Sequence, residues 1–528
     1  MLADEENRNQ LNCKNSRWNT KEFYIYYACF FAVIPYMLKV TYDLSQSQHP
    51  NYPLYAPLLS EGWILGRPVD NSDLQYSHFR NNIPQLIALA AIHLFLSHLN
   101  RHYIRFPSLK FSFMLSFICI IFLYGSNTLK ILIIVTTNFI IGRISQGSIT
   151  NPIFTWIFNL CILFLNEYYN GYQFESIFGS SFAWLDQLEG IQSRWHVLFN
   201  FTILRLISFN MDYYWSFQRE KEYVLDILTD KDRIQVPGDP RTDYGYLNFL
   251  AYVFYIPLLL CGPIVTYNDF LSQAIIFLME ITLHFLYVVA ISKSKAWHGD
   301  SALELSMIGY FNLLIIWMKL LIPWRFFRLW SMADGIWVEE NMVRCMSNNY
   351  SAQRFWKAWH RTFNRWTIRY IYLPLGGREK MVYNVWVVFT FVALWHDIEL
   401  KMLAWGWLIC LFLLPEIIAS RIFSEKKYGN KPYYRYLCGL GAVGNILMMM
   451  IANLVGFSVG LDGVVDMLKG IFATTHGLLF LLSISVCLFM AVQIMFEIRE
   501  SEKRRGDPKW KILNVKEKEV VEMSASSI

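Results

Sequence analysis

The sequence predicts an all-α fold, a polytopic transmembrane helical bundle of about a dozen membrane-embedded segments. Three observations predict it. Of the 528 residues, 55% are hydrophobic and 17% charged, where an ordinary soluble domain carries roughly a quarter charged residues. The apolar residues are gathered into blocks long enough to cross a bilayer, separated by short polar or aromatic stretches. Of nine cysteines, Cys119, Cys161, Cys261, Cys410 and Cys487 lie inside apolar runs and no CxxC pair occurs, so neither a disulfide framework nor a zinc ribbon has support. This balance excludes a disordered chain, a secreted disulfide scaffold and most soluble enzymes. A net charge of +6 over this length does not indicate a nucleic-acid partner.

Residues 1–22 are polar and mixed in charge, so the first span, Phe23 to Val40, must itself direct insertion, and the membrane domain is expected over 23–498. Pro50, Pro53, Pro57 and Pro68 then rule out a regular span and predict a re-entrant or interfacial segment. Spans follow near Ile83–Leu99, Phe111–Tyr124, Leu129–Ile144 and Ile153–Leu165, several shorter than the roughly 20 residues of a perpendicular crossing. Short, tilted helices that deform the membrane locally are expected. The block Trp195–Trp215 carries Arg205, Asn210 and Asp212, and ionisable groups at that depth face the bundle interior or a cavity. Residues 218–243 read as a polar extramembrane loop. Further spans are expected at Leu247–Ile264, Ala274–Ile291 and Leu303–Ile322. An amphipathic region, Trp324–Asn384, precedes spans at Val385–Trp395, Leu403–Ala419, Tyr436–Phe457 and His476–Phe496. The charged tail, 499–528, reads as solvated, and Arg499, Lys503, Arg504 and Arg505 beside the last span place it in the cytosol. No internal repeat of the kind seen in secondary transporters is present.

The most informative stretch runs from Phe355 to Gly377, within an amphipathic segment at 351–377. Trp356, Trp359, Phe363, Trp366 and Tyr370 recur at steps of three and four, which predicts one apolar helical face. His360 and Asn364 fall one turn apart on its flank, and taken alone His360 reads rather as a structural group, hydrogen-bonded across the bundle. Ser351 is a plausible N-cap, and Pro374 with Gly376-Gly377 closes the segment. Arg361, Arg365 and Arg369 form a stripe at steps of four, suited to phosphates or lipid headgroups, or equally to an ordinary solvated face. The second signal is the apolar run Val385–Leu394 ending Trp395-His396-Asp397. An imidazole at the end of an almost uncharged span needs a hydrogen-bonding or functional reason, though an interfacial side chain beside an aromatic anchor is the bland alternative. His98 and His102 share ligand spacing, but no HExxH motif occurs and Arg101 and Arg105 make the surroundings basic. An interfacial role is expected for that pair, with no metal site.

The Phe355–Gly377 segment, an amphipathic Trp-His helix leading into Tyr372-Leu373-Pro374-Leu375-Gly376-Gly377, resembles the signature of the membrane-bound O-acyltransferase family. Leu394-Trp395-His396-Asp397, 36 residues beyond His360, resembles that family's second signature histidine. The Arg205–Asp212 and Tyr255–Pro263 stretches are similar to further family pieces. Within the family the chain looks most like the glycerol-uptake-protein branch of fungi, relatives of the Hedgehog acyltransferases. That likeness rests on Trp359-His360-Arg361, Phe363-Asn364-Arg365-Trp366, Arg369–Tyr372, Leu394–Trp407, Phe23–Tyr27 and Tyr52–Gly66. Hedgehog acyltransferases have Asp where this chain has His360, so their protein N-acylation does not carry over directly.

The resemblance implies acyl transfer from a long-chain acyl-CoA, a co-substrate rather than a bound cofactor, to the free sn-2 hydroxyl of a lyso-glycosylphosphatidylinositol (lyso-GPI) anchor or another lipid acceptor. It further implies a multi-pass protein of the endoplasmic reticulum membrane, with the plasma membrane as a second location, in contact with membrane lipids. An alcohol is a poor nucleophile near neutral pH and needs a base in hydrogen-bond reach, a role that falls to His396. His360 or Asn364 would serve the oxyanion or position the thioester carbonyl. Arg361, Arg365, Arg369 and Arg378 are candidates for CoA phosphates or the anchor headgroup, and Trp359 and Trp395 for the substrate's flanks. Asp397 would orient His396 or sit at the interface. Two other classes remain open on sequence: a glycerol/proton symporter or uptake factor, and a protein acyltransferase of the Hedgehog type.

Overall fold

Where no water can satisfy a backbone N–H or C=O, the chain must satisfy them itself, so apolar blocks of this length become helices. The computed structural model describes residues 15–505 other than 105, 107, 189, 192–194, 218–239, 241–243, 256–277, 337, 339 and 378. Nearly all of the polar loop expected at 218–243, all of the Tyr255–Pro263 stretch but Tyr255, and Arg378 therefore lie outside the described residues.

In chain order the main helices are α1 (Lys21–Leu44), α2 (Ile83–Leu99), α3 (Ser108–Tyr124), α4 (Asn127–Ser145), α5 (Thr150–Tyr168), α6 (Trp195–Ser216), α7 (Tyr246–Phe254) and α8 (Val288–Ser294). There follow α9 (Ala302–Ala333), α10 (Ala352–Ala358), α11 (Arg361–Thr367), α12 (Met381–His396), α13 (Leu400–Ile422), α14 (Tyr434–Phe457), α15 (Gly460–Phe472) and α16 (Thr475–Arg505). Among the described residues, seven helices are long and apolar enough to cross a membrane: α1, α2 with its continuation to Ile104, α4, α9, α13, α14 and α16. Shorter apolar helices, α12 among them, complete the bundle. The expected all-α polytopic architecture is what is found.

Burial locates the centre. The most apolar window of α9 is 61% buried, against 11% in α1, α2 and α16, so α9 is the central mast and the others face lipid. On one side α4, α5 and α6 pack together, with α7 against α3; on the other α12, α13 and α14 form a row. The first group is joined by a seam of wholly buried amides on α4, α5 and α6, namely Asn138, Asn159 and Asn210. Asn159 Nδ2 donates to Asn138 Oδ1 at 2.8 Å, and Asn210 Nδ2 donates to the Asn138 carbonyl at 2.8 Å and to Thr155 Oγ1 at 3.0 Å. Small residues let such helices approach closely. At Gly142 an added Cβ would stand 2.5 Å from Asn210 Oδ1. Gly142→Ala is therefore expected to destabilise the detergent-solubilised protein by about 1–3 kcal/mol, read as a lower thermal midpoint. An unchanged midpoint would mean that α4 and α6 separate without cost.

Three of the expected elements change in the structure. The Pro-rich stretch is not a span, as anticipated, but folds as a short helix, Tyr52–Tyr55, and a two-residue antiparallel pair, β1 (Leu59–Ser60) with β2 (Val69–Asp70). Its buried Asp70 accepts the N–H groups of Val289 and Ala290 at 3.1 and 2.9 Å, while Ser45 Oγ accepts from Tyr287 N–H at 2.9 Å. These side chains cap α8, and so the span expected over Ala274–Ile291 is broken before Val288 rather than continuous. The helix expected to end at Ile322 runs on through Pro323 to Ala333. The last helix continues beyond 498 to Arg505, with Arg499 and Glu502 buried, so the start of the charged tail is packed protein rather than a solvated segment.

Candidate active site

The signature segment is built by interruption. Ser351 Oγ accepts the Arg354 N–H at 3.2 Å as the N-cap of α10, and Glu416 of α13 accepts from Ala352 N–H at 2.9 Å and from the Ser351 hydroxyl. Side-chain periodicity predicts one helix from here to Tyr370; the structure instead ends α10 at Ala358 and restarts at Arg361. Between them His360 adopts φ +43° and ψ +53°, the left-handed region rarely entered by a side-chain-bearing residue. The cause lies in the preceding loop. Asn341 accepts the Arg361 N–H on its carbonyl at 3.0 Å and the Thr362 N–H on Oδ1 at 3.1 Å, replacing the acceptors a continuous helix would supply, and Val343 N–H donates to Ala358 O at 3.1 Å. The segment then passes through a π-helical turn, Ile368–Tyr372, into a glycine turn where Gly376 and Gly377 take φ of +96° and +53°. The Gly-Gly pair is needed there because both positions are left-handed.

A run of rings joins the two histidines. The His360 imidazole lies 4.3 Å from Trp324 and 5.2 Å from Phe363, centroid to centroid; Phe363 lies 4.5 Å from Trp395, and Trp395 lies 5.0 Å from His396. Trp405 of α13 and Phe457 of α14, each at 5.8 Å, close the box around His396. His396 is exposed despite the rings packed around it, and His360 is half-buried, so both imidazoles border an accessible space among these rings. The half-buried Asn364 is next to them in the fold, its N–H donating to the His360 carbonyl at 3.0 Å, and its side-chain amide makes no hydrogen bond among the described residues.

The remaining candidates divide. Trp395 anchors the end of α12, its Nε1–H donating to the Asn200 carbonyl at 3.2 Å. Trp359 stacks on Phe355 at 5.5 Å and packs on the Leu321–Trp324–Met342 cluster. Arg361 and Arg365 are half-buried on the segment. Arg369 is not aimed at a ligand in this structure: Asp212 of α6 accepts from its Nε at 3.1 Å and its Nη2 at 2.7 Å, and also from Tyr370 OH at 2.9 Å. Asp397 sits past the end of α12. Burial, with Glu399 beside it, pushes its carboxyl above the ordinary range while Lys401 opposes, and no bond to His396 is found among the described residues. His98 and His102 stack at 4.1 Å, and no group of three His, Cys, Asp or Glu side chains gathers at metal-holding distance among the described residues. Asn341, Trp324, Trp405 and Glu416 were not singled out in the sequence. For Asn341 the sequence offers only an amide between charged neighbours, Glu340 and Arg344, upstream of the signature; its complete burial is visible in the structure alone.

A sequence model of the membrane-bound O-acyltransferase family matches residues 180–276 and 274–460, which takes in α6, α9 and the whole of the two-histidine constellation. The chain is 47% identical over 526 residues to the membrane-bound O-acyltransferase GUP1 of Candida tropicalis, covering 93% of this chain and 89% of that protein. It is 44% identical over 530 residues to the membrane-bound O-acyltransferase GUP1 of Saccharomyces cerevisiae, covering 93% of each. A more distant likeness, 23% over 254 residues, links 42% of this chain to 50% of the protein-cysteine N-palmitoyltransferase HHAT of Mus musculus.

Proposed function

The chain belongs to the membrane-bound O-acyltransferase family, and from that premise we propose that it esterifies the sn-2 hydroxyl of a lyso-GPI anchor with a long acyl chain from acyl-CoA, in the endoplasmic reticulum membrane. The single observation that best supports this reading is the pair of imidazoles, His360 and His396, joined through the rings of Phe363 and Trp395 and both left accessible. The hydroxyl oxygen attacks the thioester carbonyl carbon while His396 takes its proton. His360, or the side-chain amide of Asn364, donates to the oxygen of the tetrahedral intermediate. Collapse breaks the carbon–sulfur bond, and the proton held by His396 passes to the leaving CoA thiolate. No acyl-enzyme and no bound cofactor are required. A site walled by Trp395, Trp405 and Phe457 suits an acyl chain lying in the bundle. CoA enters from the cytosol and the acceptor from the opposite side. Arg361, Arg365 and Arg378 are proposed for the CoA phosphates, and Trp359 and Trp395 for the acyl chain. Arg369, already paired with Asp212, is assigned to holding the segment against α6.

Cells lacking this chain are expected to accumulate lyso-anchors on their surface proteins, a defect reversed by the wild-type chain and not by His396→Ala. Lipid analysis of released anchors reads the result, and normal anchors in the deleted cells would overturn the acceptor assignment. Purified protein in lipid nanodiscs with labelled acyl-CoA separates the other classes: label in a polypeptide amine would replace the lipid acceptor with a protein one. Proteoliposomes that concentrate glycerol without any acyl transfer would favour a symporter.

A further inference from the structure

The loop that breaks the signature helix also determines which nitrogen of His360 carries its proton. Asn341 is wholly buried. Its Oδ1 accepts from the Thr362 backbone N–H at 3.1 Å and from the Thr362 hydroxyl at 2.9 Å. A backbone N–H can only donate and an amide oxygen can only accept, so these two bonds settle which way round the amide stands. The other end of the amide, Nδ2, is 3.3 Å from His360 Nδ1. An amide NH₂ can only donate, so Nδ1 must offer its lone pair. A neutral His360 then holds its single proton on Nε2. We propose that Asn341 is a positioning residue that locks His360 as the Nε2–H tautomer, so that the ring presents a donor, not a lone pair, to the thioester oxygen.

The proposal rests on the oxyanion reading of His360 and deepens it. Released from Asn341, a neutral imidazole divides between two tautomers, and only one of them donates from Nε2. The backbone strain at His360, φ +43°, has the same source: Asn341 accepts both the Arg361 and the Thr362 N–H groups, so one residue sets the ring's position and its protonation together. Trp324 and Phe363 pack on the ring at 4.3 and 5.2 Å, tilted by 54° and 47°, and neither offers a polar partner to Nδ1.

Aspartate and alanine at position 341 separate this role from packing. Asp keeps the shape of Asn and keeps an oxygen for Thr362, but its second oxygen can only accept. It draws the His360 proton onto Nδ1 and leaves Nε2 bare. In full-length protein reconstituted in nanodiscs, Asn341→Asp is expected to lower kcat by about 10²-fold, the loss typical of removing one oxyanion donor. The KM for acyl-CoA should stay close to wild type, because the interaction lost is one made only in the transition state. Asn341→Ala, which frees the ring without reversing it, is expected to lose less than Asn341→Asp, since part of the population keeps its proton on Nε2. A packing role predicts the opposite order, since Asp is isosteric and Ala leaves a hole. Asn341→Asp as active as wild type, or more active than Asn341→Ala, would overturn the proposal. In a His360→Ala background neither substitution should change turnover further; an additional loss there would show that Asn341 does not act through His360. If His360→Ala alone leaves turnover intact, the oxyanion reading itself falls, an outcome distinct from failure of the Asn341 variants beside an inactive His360→Ala. Should Asn341→Asp not accumulate as folded protein, Thr362→Val removes one of the two bonds that orient the amide. A several-fold loss of kcat with KM unchanged is then expected, and wild-type kcat would overturn the lock.

Discussion

His396→Ala is expected to lower acyl transfer by about 10²- to 10⁴-fold, the range over which a positioned general base contributes. The hydroxyl nucleophile is the reason. An alcohol attacking a thioester must shed its proton as the bond forms, and His396 is the more exposed imidazole of the pair. The loss should come without a matching loss of fold. His396 is exposed at the last position of α12, so truncating it enlarges an accessible space rather than opening a cavity in packed core. The box around it is held independently: Trp405 is almost wholly buried and donates to Asn453 Oδ1 at 3.2 Å, and Trp395 is tied to Asn200. The thermal midpoint and the size-exclusion profile in detergent should therefore match wild type while label transfer from acyl-CoA disappears. His396→Gln, which keeps a polar side chain but cannot take the proton, should be equally inactive. Near-normal turnover in either variant would remove His396 from the chemistry and leave it the interfacial residue that composition alone equally allows.

The membrane architecture was legible because it rests on a signal that sums over many residues: long apolar blocks with few charges can satisfy their backbones only as helices. What was not legible depends on single contacts between residues far apart in sequence. Nothing within Trp359-His360-Arg361 disfavours a helix, and the break there is imposed by Asn341, nineteen positions upstream. The stripe Arg361, Arg365, Arg369 looks uniform along the chain, yet Arg369 is taken up by Asp212, 157 positions away. Hydropathy placed the end of a span at Ile322, before the proline, and so left Trp324 in the amphipathic region beyond it, although α9 carries it onto the His360 ring. The histidines themselves stood out through the family motif. Composition could say only that a polar group at that depth needs a reason.

The second large effect is expected at the far end of the chain. At about 1.5 Å per residue the 31 residues of α16 reach well beyond a hydrocarbon core of about 30 Å. The overhanging turns dock on the loop that also carries Asn341. Arg344 donates to both oxygens of Glu502, at 2.7 and 2.6 Å, and the side chains of the pair are 5% and 9% exposed. Arg499 lies 3.6 Å from the same carboxylate and donates to Asn348 Oδ1 at 2.9 Å, while Tyr350 meets Phe496 edge-on at 4.7 Å. Glu502→Ala leaves two buried guanidinium groups without their shared counter-charge, and breaking a buried pair from one side costs about 3–5 kcal/mol. A markedly lower thermal midpoint is expected, with turnover falling alongside because Arg344 and Asn341 belong to one loop. Arg344→Ala should cost less, since Glu502 then keeps Arg499. The double variant Arg344→Met, Glu502→Leu should recover part of the stability lost in Glu502→Ala, because it removes one of the two stranded guanidinium groups and leaves only Arg499, which keeps Asn348. A double variant more stable than Glu502→Ala distinguishes a buried charge network from simple loss of helix contacts, which would make the double variant the worst of the three. Equal midpoints for Glu502→Ala and wild type would mean that these turns are solvated after all and that the loop holding His360 is supported from α9 alone.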